Sequence, residues 1–316
     1  MSFFRTALQI LGLTGLFMLL IGCGGDNDTS SSKTYYGNNG WQLAWSDEFS
    51  GSAVDEDKWD WLEDCWGGGN NEQQCYTNRI DNSYVSNGKL VIRAHQETFT
   101  GAAEPQDWNT NAGLKTLPYT SARLRTKGKG DWKYGRIEVR AKLPAGQGIW
   151  PAIWMLPSHN VYGEWAASGE IDIVEAINIQ PTIASTHQIH GTLHFGGGWP
   201  NNVHMGSSYT LVDSDPSQNF HTYAIDWAED EIRWYVDGTL YGSNTSASWY
   251  SIPNTAAVAG PNAPFDQDFH IILNVAVGGQ WPGAPDANTN FPVQMEIDYV
   301  RFYNCSASPS SLDTCQ

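Results

Sequence analysis

Short runs of alternating apolar and polar residues recur along the chain, and they constrain its fold more than any other feature. The clearest runs are 89–94, 135–140, 231–236 and 294–300. A period of two places successive side chains on opposite faces of a β-strand. The turn sequence Asp237-Gly238 directly follows one run and predicts a hairpin. Because helical patterns are hard to find, the chain is predicted to be all-β, an antiparallel sandwich or barrel.

The segment Gly169–Glu175 contains three carboxylates among β-branched residues, which favour a strand. In a regular strand Glu170 and Asp172 share one face, whereas Glu175 lies on the other. One extra residue near 173–174, a β-bulge, would return Glu175 to the face of the other two. Two carboxylates that flank one bond can hydrolyse a glycosidic linkage. The simpler alternative is an acidic, solvated edge strand.

The N-terminal residues predict export. The apolar run from Ala7 to Ile21 follows Arg5, is short for a membrane span and is typical of a secretory signal. Leu20-Ile21-Gly22-Cys23 resembles the lipobox of bacterial lipoproteins, which implies that Cys23 carries the lipid. An ordinary signal peptide with a chance cysteine is the alternative. The predicted divisions are a lipoprotein signal peptide at 1–22, a flexible tether at 23–38, a main domain at 39–304 and a short tail at 305–316.

Four cysteines remain besides Cys23. An even number in an exported protein favours disulfides. Cys65–Cys75 and Cys305–Cys315 are the simplest pairs because their members are close in sequence. Their spacing does not suggest a zinc site.

The charge and the aromatic content narrow the classes of partner. A formal net charge of −17 disfavours nucleic acids and anionic polymers, and weakly favours a neutral substrate. The 15 Trp and 14 Tyr residues supply flat rings that suit the apolar faces of sugars. Most of these rings are expected in the core.

Several motifs, in order along almost the whole mature chain, resemble glycoside hydrolase family 16, and within it the bacterial laminarinases (endo-1,3-β-glucanases). They are Leu43–Phe49, Asn71–Gln74, Thr120–Leu124, Tyr134–Arg140, Gly148–Leu156, Gly191–His194, Leu273–Gly279 and Asp298–Arg301. The resemblance implies a jelly-roll β-sandwich like that of the legume lectins, with a concave substrate cleft. It also identifies residues 39–304 as the catalytic domain.

The resemblance assigns the three carboxylates. Glu170 matches the nucleophile, Glu175 the general acid/base and Asp172 the assisting carboxylate between them. The negative charges of Glu170 and Asp172 would raise the affinity of Glu175 for a proton. The spacing of the bulged pattern argues against the unbulged enzymes of the family, such as lichenases and xyloglucan transglycosylases.

The resemblance also suggests substrate-binding residues. Trp150 and Trp154 share a strand face and would stack on glucosyl rings, although one of them could be a core residue. Arg125 matches an arginine that contacts sugar hydroxyls, and Asn71 matches a residue near the donor subsites. The remaining two are His194, a hydrogen-bonding group next to the carboxylates, and Trp165, just before the catalytic strand.

No metal or other cofactor is expected for catalysis. His187, His190 and His194 could indicate zinc, but only the last two share a strand face, so that interpretation is weak. A structural calcium ion is the better candidate. Glu48, the Gly88 carbonyl and Asp298 match the calcium position of the family, and the alternative is that both carboxylates are merely solvated.

The sequence therefore predicts a monomeric, retaining endo-glycosidase that cleaves internal β-1,3 bonds of laminarin-like β-glucan. It would be exported and lipid-anchored in a bacterial cell envelope, with the lipid as its only membrane contact. One alternative keeps the mechanism but changes the polymer to mixed-linkage glucan or an algal galactan. Another is a glucan-binding lipoprotein without catalytic activity. The unusual segments 176–178 and 196–202 flank the cleft and leave the subsite preference open.

Overall fold

The structure is built almost entirely from β-strands. It is a computed structural model that describes residues 40–105, 107–108, 111–305 and 315. The predicted signal peptide and tether, with Cys23, lie outside the described residues, as does most of the tail. The described part contains one short 3-10 helix, Ala184–Thr186. Its strands are β1 (Trp41–Asp47), β2 (Asp60–Trp61), β3 (Gln74–Tyr76), β4 (Ser83–Ser86), β5 (Lys89–Ala102), β6 (Leu114–Ser121), β7 (Arg123–Arg125), β8 (Asp131–Trp132), β9 (Gly135–Lys142), β10 (Ile149–Pro157), β11 (Glu170–Glu175), β12 (Gln188–Gly196), β13 (Asn202–Thr210), β14 (His221–Trp227), β15 (Glu231–Val236), β16 (Thr239–Thr245), β17 (Phe269–Val277) and β18 (Val293–Cys305).

The strands form two sheets that share one hydrophobic core. The ten-stranded sheet has the order β16-β15-β14-β9-β18-β5-β6-β3, with β1 paired to β18 and β4 to β5. The eight-stranded sheet has the order β13-β12-β11-β10-β17-β7-β2, with β8 paired to β17. Ile225 and Trp234 from the first sheet and Ile153 and Leu273 from the second belong to the same buried cluster. Two sheets packed face to face are a β-sandwich, so the predicted fold class is confirmed.

Two local predictions are also confirmed. The turn at 237–238 joins β15 and β16 as an antiparallel hairpin. The disulfides are Cys65–Cys75 and Cys305–Cys315. In the described residues we find no helix with the length and apolar character that a membrane span requires.

The strand β11 contains the predicted bulge. On the β10 side, Ile153 pairs with Val174 while the next residue, Trp154, pairs with Asp172, so Ile173 is the extra residue. The register shifts at the same place on the β12 side. The bulge therefore lies between Asp172 and Glu175, where it changes the face on which Glu175 lies.

A tryptophan of the opposite sheet holds the bulge. The fully buried Trp234, on β15, donates its indole N–H to the backbone carbonyl of Asp172 at 2.8 Å. A buried carbonyl without a partner would be costly, so this hydrogen bond stabilises the irregular backbone. Trp234 fits because Gly191, on β12, has no side chain. A Cβ at Gly191 would lie 2.3 Å from Cδ1 of Trp234.

We expect Gly191→Ala to lower the free energy of unfolding by about 1–3 kcal/mol, the typical cost of overpacking a core. The added methyl group must push Trp234 away from the bulge. The control is Gly260→Ala, where a Cβ would meet no atom within 4 Å. Urea unfolding of both variants measures the difference. Equal stability of the two would show that the fit around Trp234 is not tight.

Candidate active site

The outer face of the eight-stranded sheet, around the bulge, contains the predicted catalytic carboxylates. Across the pair of strands β11 and β12, Glu170 lies opposite His194 and Glu175 opposite His190. Asp172 is buried, whereas Glu170 and Glu175 are partly exposed. Glu170, Asp172, Glu175 and His194 are close enough to influence one another electrostatically. We call these four residues the carboxylate cluster.

Each glutamate of the cluster accepts a hydrogen bond from a different tryptophan. The indole N–H of Trp165 donates to Oε2 of Glu170 at 2.7 Å. The indole N–H of Trp150 donates to Oε1 of Glu175 at 2.9 Å. Trp165, whose position the sequence predicted least firmly, thus directly contacts the predicted nucleophile.

His194 supplies positive charge to the cluster. Its Nε2 atom lies 3.2 Å from Oδ2 of Asp172 and 3.6 Å from Oε1 of Glu170. Burial alone would lower the pKa of His194, but the two carboxylates outweigh it and raise the pKa to about 10. The imidazole is therefore protonated at neutral pH and offsets part of the negative charge.

The two glutamates have different electrostatic surroundings. Burial, followed by the charge of Asp172, raises the pKa of Glu170 to about 8, whereas His194 and Trp165 act in the opposite direction. Burial and the charges of both Asp172 and Glu170 raise the pKa of Glu175 well above its usual range. Glu175 faces two carboxylates and is the better candidate to keep its proton.

This arrangement suits acid–base chemistry at a bond between the two glutamates. A carboxylic acid that keeps its proton near neutral pH can protonate a leaving oxygen. A second carboxylate, stabilised by a cation and an indole N–H, can act as a nucleophile or stabilise a developing positive charge. The geometry therefore supports the pair of roles predicted for Glu175 and Glu170.

Trp154 lies on the same face of β10 as Trp150, as predicted. Both side chains are partly exposed, so neither is a core residue. The indole N–H of Trp154 donates to Oδ1 of Asn274 at 2.7 Å, and Nδ2 of Asn274 donates to the hydroxyl of Tyr76 at 3.0 Å. The guanidinium of Arg123 lies over the rings of both Tyr76 and Trp154. Trp154 is thus supported by a network of polar and cation–π contacts that connects four strands, β10, β17, β3 and β7.

Arg125 and Asn71 lie farther from the carboxylates. Arg125 is on β7, which β17 and β10 separate from β11, and its guanidinium pairs with Asp60 and Asp107. Asn71 is exposed and occupies a left-handed backbone conformation in the loop before β3. A contact of either side chain with sugar stays a prediction.

The structure adds Trp281 and His190 to the site. The Trp281 ring lies edge-on to Trp150, with centroids 5.2 Å apart, and edge-on to His190 at 5.1 Å. Trp281 is 42% exposed, so its face is available to a ligand. The one sequence signal that could have identified Trp281 as a site residue is its position two residues after the Gly278-Gly279 motif. His190 shares a strand face with His194, and burial lowers its pKa.

The predicted metal residues have other partners. Among the described residues, the group of His and acidic side chains close enough to hold a metal is Glu170, Asp172 and His194, which does not match the three-histidine zinc interpretation. Glu48 forms a two-point ion pair with Arg301, with both contacts at 2.8 Å.

The calcium residues nevertheless lie at one corner of the ten-stranded sheet. Asp298 pairs with Arg140. The register places Gly88 and Glu48 just beyond strand pairs that flank Asp298. As arranged, the donors do not fit a calcium ion, because each carboxylate already binds a guanidinium group.

Comparisons with known proteins give matches over most of the chain. The sequence profile of Glycosyl hydrolases family 16 matches residues 70–301. Glucan endo-1,3-beta-glucosidase A1 of Niallia circulans is 44% identical over 84% of the chain, which spans only 38% of that protein. Beta-glucanase of Rhodothermus marinus is 40% identical over 91% of the chain and 92% of its own length. The laminarinase catalytic domain of Thermotoga maritima is 38% identical, with a TM-score of 0.68 over 84% of the chain and 98% of that domain.

The raised pKa of Glu175 predicts that this residue lowers stability as the pH rises. The folded state holds the proton more tightly than the unfolded state, whose glutamates titrate near about 4.3. Stability is therefore lost from that pH upward, through the folded-state pKa. Glu175→Gln cannot ionise, so its melting temperature should exceed that of the wild type by a margin that grows from pH 5 to pH 8. A margin that does not change with pH would contradict a buried, protonated Glu175.

Proposed function

Because the chain belongs to glycosyl hydrolases family 16, we propose that it is a retaining endo-glycosidase that cleaves internal β-1,3-glucosidic bonds of laminarin-like β-glucans. The β-bulge carries the argument, since it returns Glu175 to the face of Glu170 and Asp172. The name of the Niallia circulans relative, a glucan endo-1,3-beta-glucosidase, supports β-1,3-glucan as the substrate. The neutral polymer also suits a strongly acidic protein.

In the first step Glu170 attacks the anomeric carbon while Glu175 protonates the glycosidic oxygen. The carbon–oxygen bond of the linkage breaks, a glycosyl ester forms on Glu170, and the leaving chain departs with the proton. His194 stabilises the ionised form of Glu170 before attack.

In the second step water replaces the enzyme at the same carbon. Glu170 carries no charge in the ester, so the repulsion that kept Glu175 protonated is weaker. Glu175, which has given up its proton, now accepts one from water, and the resulting nucleophile displaces Glu170. Two displacements restore the original configuration. Asp172 remains next to Glu170 throughout and interacts with His194.

The partly exposed tryptophans near the carboxylate cluster can bind glucosyl rings. Trp150, Trp154, Trp165 and Trp281 present aromatic surface beside the glutamates. Flat apolar rings with a polar edge complement the faces of a pyranose. Asn274 and the histidines can bind hydroxyl groups.

Purified protein should shorten laminarin rapidly to mixed oligosaccharides, as an endo-acting enzyme does, and its first product should be the β-anomer. Reducing-end assays, chromatography and proton NMR measure these results. Mixed-linkage glucan, agarose and carrageenan in the same assay separate the proposed substrate from the alternative polymers. Binding of laminarin without a change in chain length would instead identify a glucan-binding protein.

The roles of the glutamates can be separated with an aryl glycoside that has a good leaving group. Glu170→Ala should lose nearly all activity, and azide should restore turnover with inverted configuration. The matched variant Glu175→Ala should give a glycosyl azide of retained configuration, because its nucleophile is intact. The opposite pairing of configurations would exchange the two roles.

A structural calcium ion at Glu48, the Gly88 carbonyl and Asp298 stays a prediction of the family resemblance. Calcium would have to displace Arg301 and Arg140 from the two carboxylates. We therefore assign it no part in the mechanism.

We further propose export and lipid anchoring through Cys23, on the basis of the lipobox-like sequence. In a bacterial host fed labelled palmitate, the full chain should become labelled and fractionate with membranes. Cys23→Ser should abolish both results, whereas the catalytic variant Glu170→Ala should change neither. Label that persists in Cys23→Ser would place the lipid elsewhere.

A further inference from the structure

Two tryptophans at the active site donate hydrogen bonds from their indole N–H groups to the predicted catalytic side chains. An indole nitrogen can donate a hydrogen bond but cannot accept one. The indole N–H groups of Trp165 and Trp150 therefore bind an unprotonated oxygen atom of Glu170 or Glu175 more strongly than a protonated one, which is the weaker acceptor. Stacking on sugar, the role that the sequence suggested for Trp150, does not require these two contacts.

We propose that Trp165 and Trp150 are positioning residues, each of which fixes one catalytic carboxylate through its indole N–H. Trp165 would hold the nucleophile for attack, and Trp150 would determine which oxygen atom of the acid/base carries the proton. This proposal rests on the proposed retaining mechanism: Trp165 positions the nucleophile of that mechanism, and Trp150 positions its acid/base.

The geometry around Trp150 places the proton of Glu175. Oε1 accepts the indole N–H at 2.9 Å, which favours the proton of the neutral acid on the other oxygen, Oε2. The ring of Trp150 is itself supported by Trp281. Gly279 packs beside the ring, where a Cβ would make an ordinary contact of 3.7 Å with it. The donor therefore has a fixed direction.

Trp165 is held in a comparable way on the other side of the cluster. The backbone N–H of Trp199 donates to its carbonyl at 3.2 Å. The ring of Trp165 lies 5.6 Å from that of His194, between centroids. Trp165 and His194 thus approach Glu170 together, one with an N–H group and the other with a positive charge.

The two donors should also control the titration of their glutamates. From its own strand Glu175 faces Asp172 and Glu170, and from β12 it faces His190 and His194. Glu170 faces Asp172, Glu175 and His194. Against this background each indole N–H favours the ionised form, so its removal raises the pKa of the glutamate that it binds.

The decisive variants are Trp165→Phe and Trp150→Phe, which keep an aromatic ring but remove the N–H. The pH profile of kcat/KM reports the groups that must be ionised or protonated in the free enzyme. Trp165→Phe should move the acid limb to higher pH, because the pKa of Glu170 rises and Glu170 must be ionised for activity. Trp150→Phe should move the alkaline limb to higher pH, because the pKa of Glu175 rises and Glu175 must be protonated for activity. A charge-assisted hydrogen bond corresponds to a shift of about one to two pH units.

Trp154→Phe is the matched control. Trp154 is on the same face of the same strand as Trp150, but its N–H binds Asn274. Loss of this N–H should change KM, while both limbs of the profile should stay within error of the wild type. Unshifted limbs in Trp150→Phe and Trp165→Phe, with only KM raised, would overturn the proposal and leave the two rings as stacking surfaces.

The leaving group separates the two positioning roles. An aryl glycoside with a strongly acidic phenol needs little proton donation. On that substrate the rate of the first step, transfer of the glycosyl group to Glu170, should be close to the wild-type rate in Trp150→Phe. In Trp165→Phe this rate should be reduced both on the aryl glycoside and on the glucan. Equal impairment of both variants on both substrates would indicate a general structural defect and contradict the division of roles.

Failure of the proposed function would be recognised separately, by wild-type protein that hydrolyses none of the glucans. The inference would then be tested without substrate, by carbon-13 NMR titration of glutamate side chains in the wild type and both variants. If Trp165→Phe does not fold, Trp165→Leu, which also lacks the N–H group, replaces it. Glutamate titrations that are the same in the variants and the wild type would overturn the proposal.

Discussion

The hydrogen bond from Trp234 to the carbonyl of Asp172 is the contact on which the active site depends. A strand in regular register would direct Glu170 and Glu175 to opposite faces of the sheet. The bulge corrects this, but it also leaves a backbone carbonyl without its normal ladder partner. Trp234 satisfies that carbonyl from the opposite sheet at 2.8 Å. Gly191, on the strand next to β11, provides the space. Catalytic geometry on one face is therefore fixed by packing on the other.

The same bulge creates an electrostatic cost that the surrounding residues partly offset. It brings three carboxylates together in a partly buried place, where burial and mutual repulsion favour protonation. His194 and two indole N–H groups favour ionisation of the glutamates. The balance differs between Glu170 and Glu175, and that difference lets one act as a nucleophile while the other carries a proton. A site of this kind reduces stability for the sake of function.

Most of the fold could be predicted from the sequence, because alternation, turn residues and cysteine spacing are local signals. The bulge could also be predicted, since three acidic residues at this spacing reach one face only with an extra residue. The partners of side chains could not. Nothing in the sequence around Trp150 indicates that its N–H binds Glu175, a residue 25 positions away. His190 is on β12, and Trp281 follows β17. Their contact depends on the order of the strands in the sheet, in which β11 and β10 lie between β12 and β17. Arg125 matches a sugar-binding position, yet it pairs with Asp60 on the neighbouring strand β2 and with Asp107 in the loop between β5 and β6, and no local pattern indicates either contact.

The three acidic residues of the catalytic strand each receive an indole N–H, although at different atoms. Trp165 and Trp150 bind the side chains of Glu170 and Glu175, whereas Trp234 binds the backbone of Asp172. A donor that cannot accept is well suited to this task, because it can neither take the catalytic proton nor reverse the direction of the hydrogen bond. A hydroxyl or amide in the same places could turn and bind the protonated oxygen instead. The indole groups therefore favour one orientation of each carboxylate and, in Glu175, one position for the proton. This restriction is what two displacements on opposite faces of one carbon atom require.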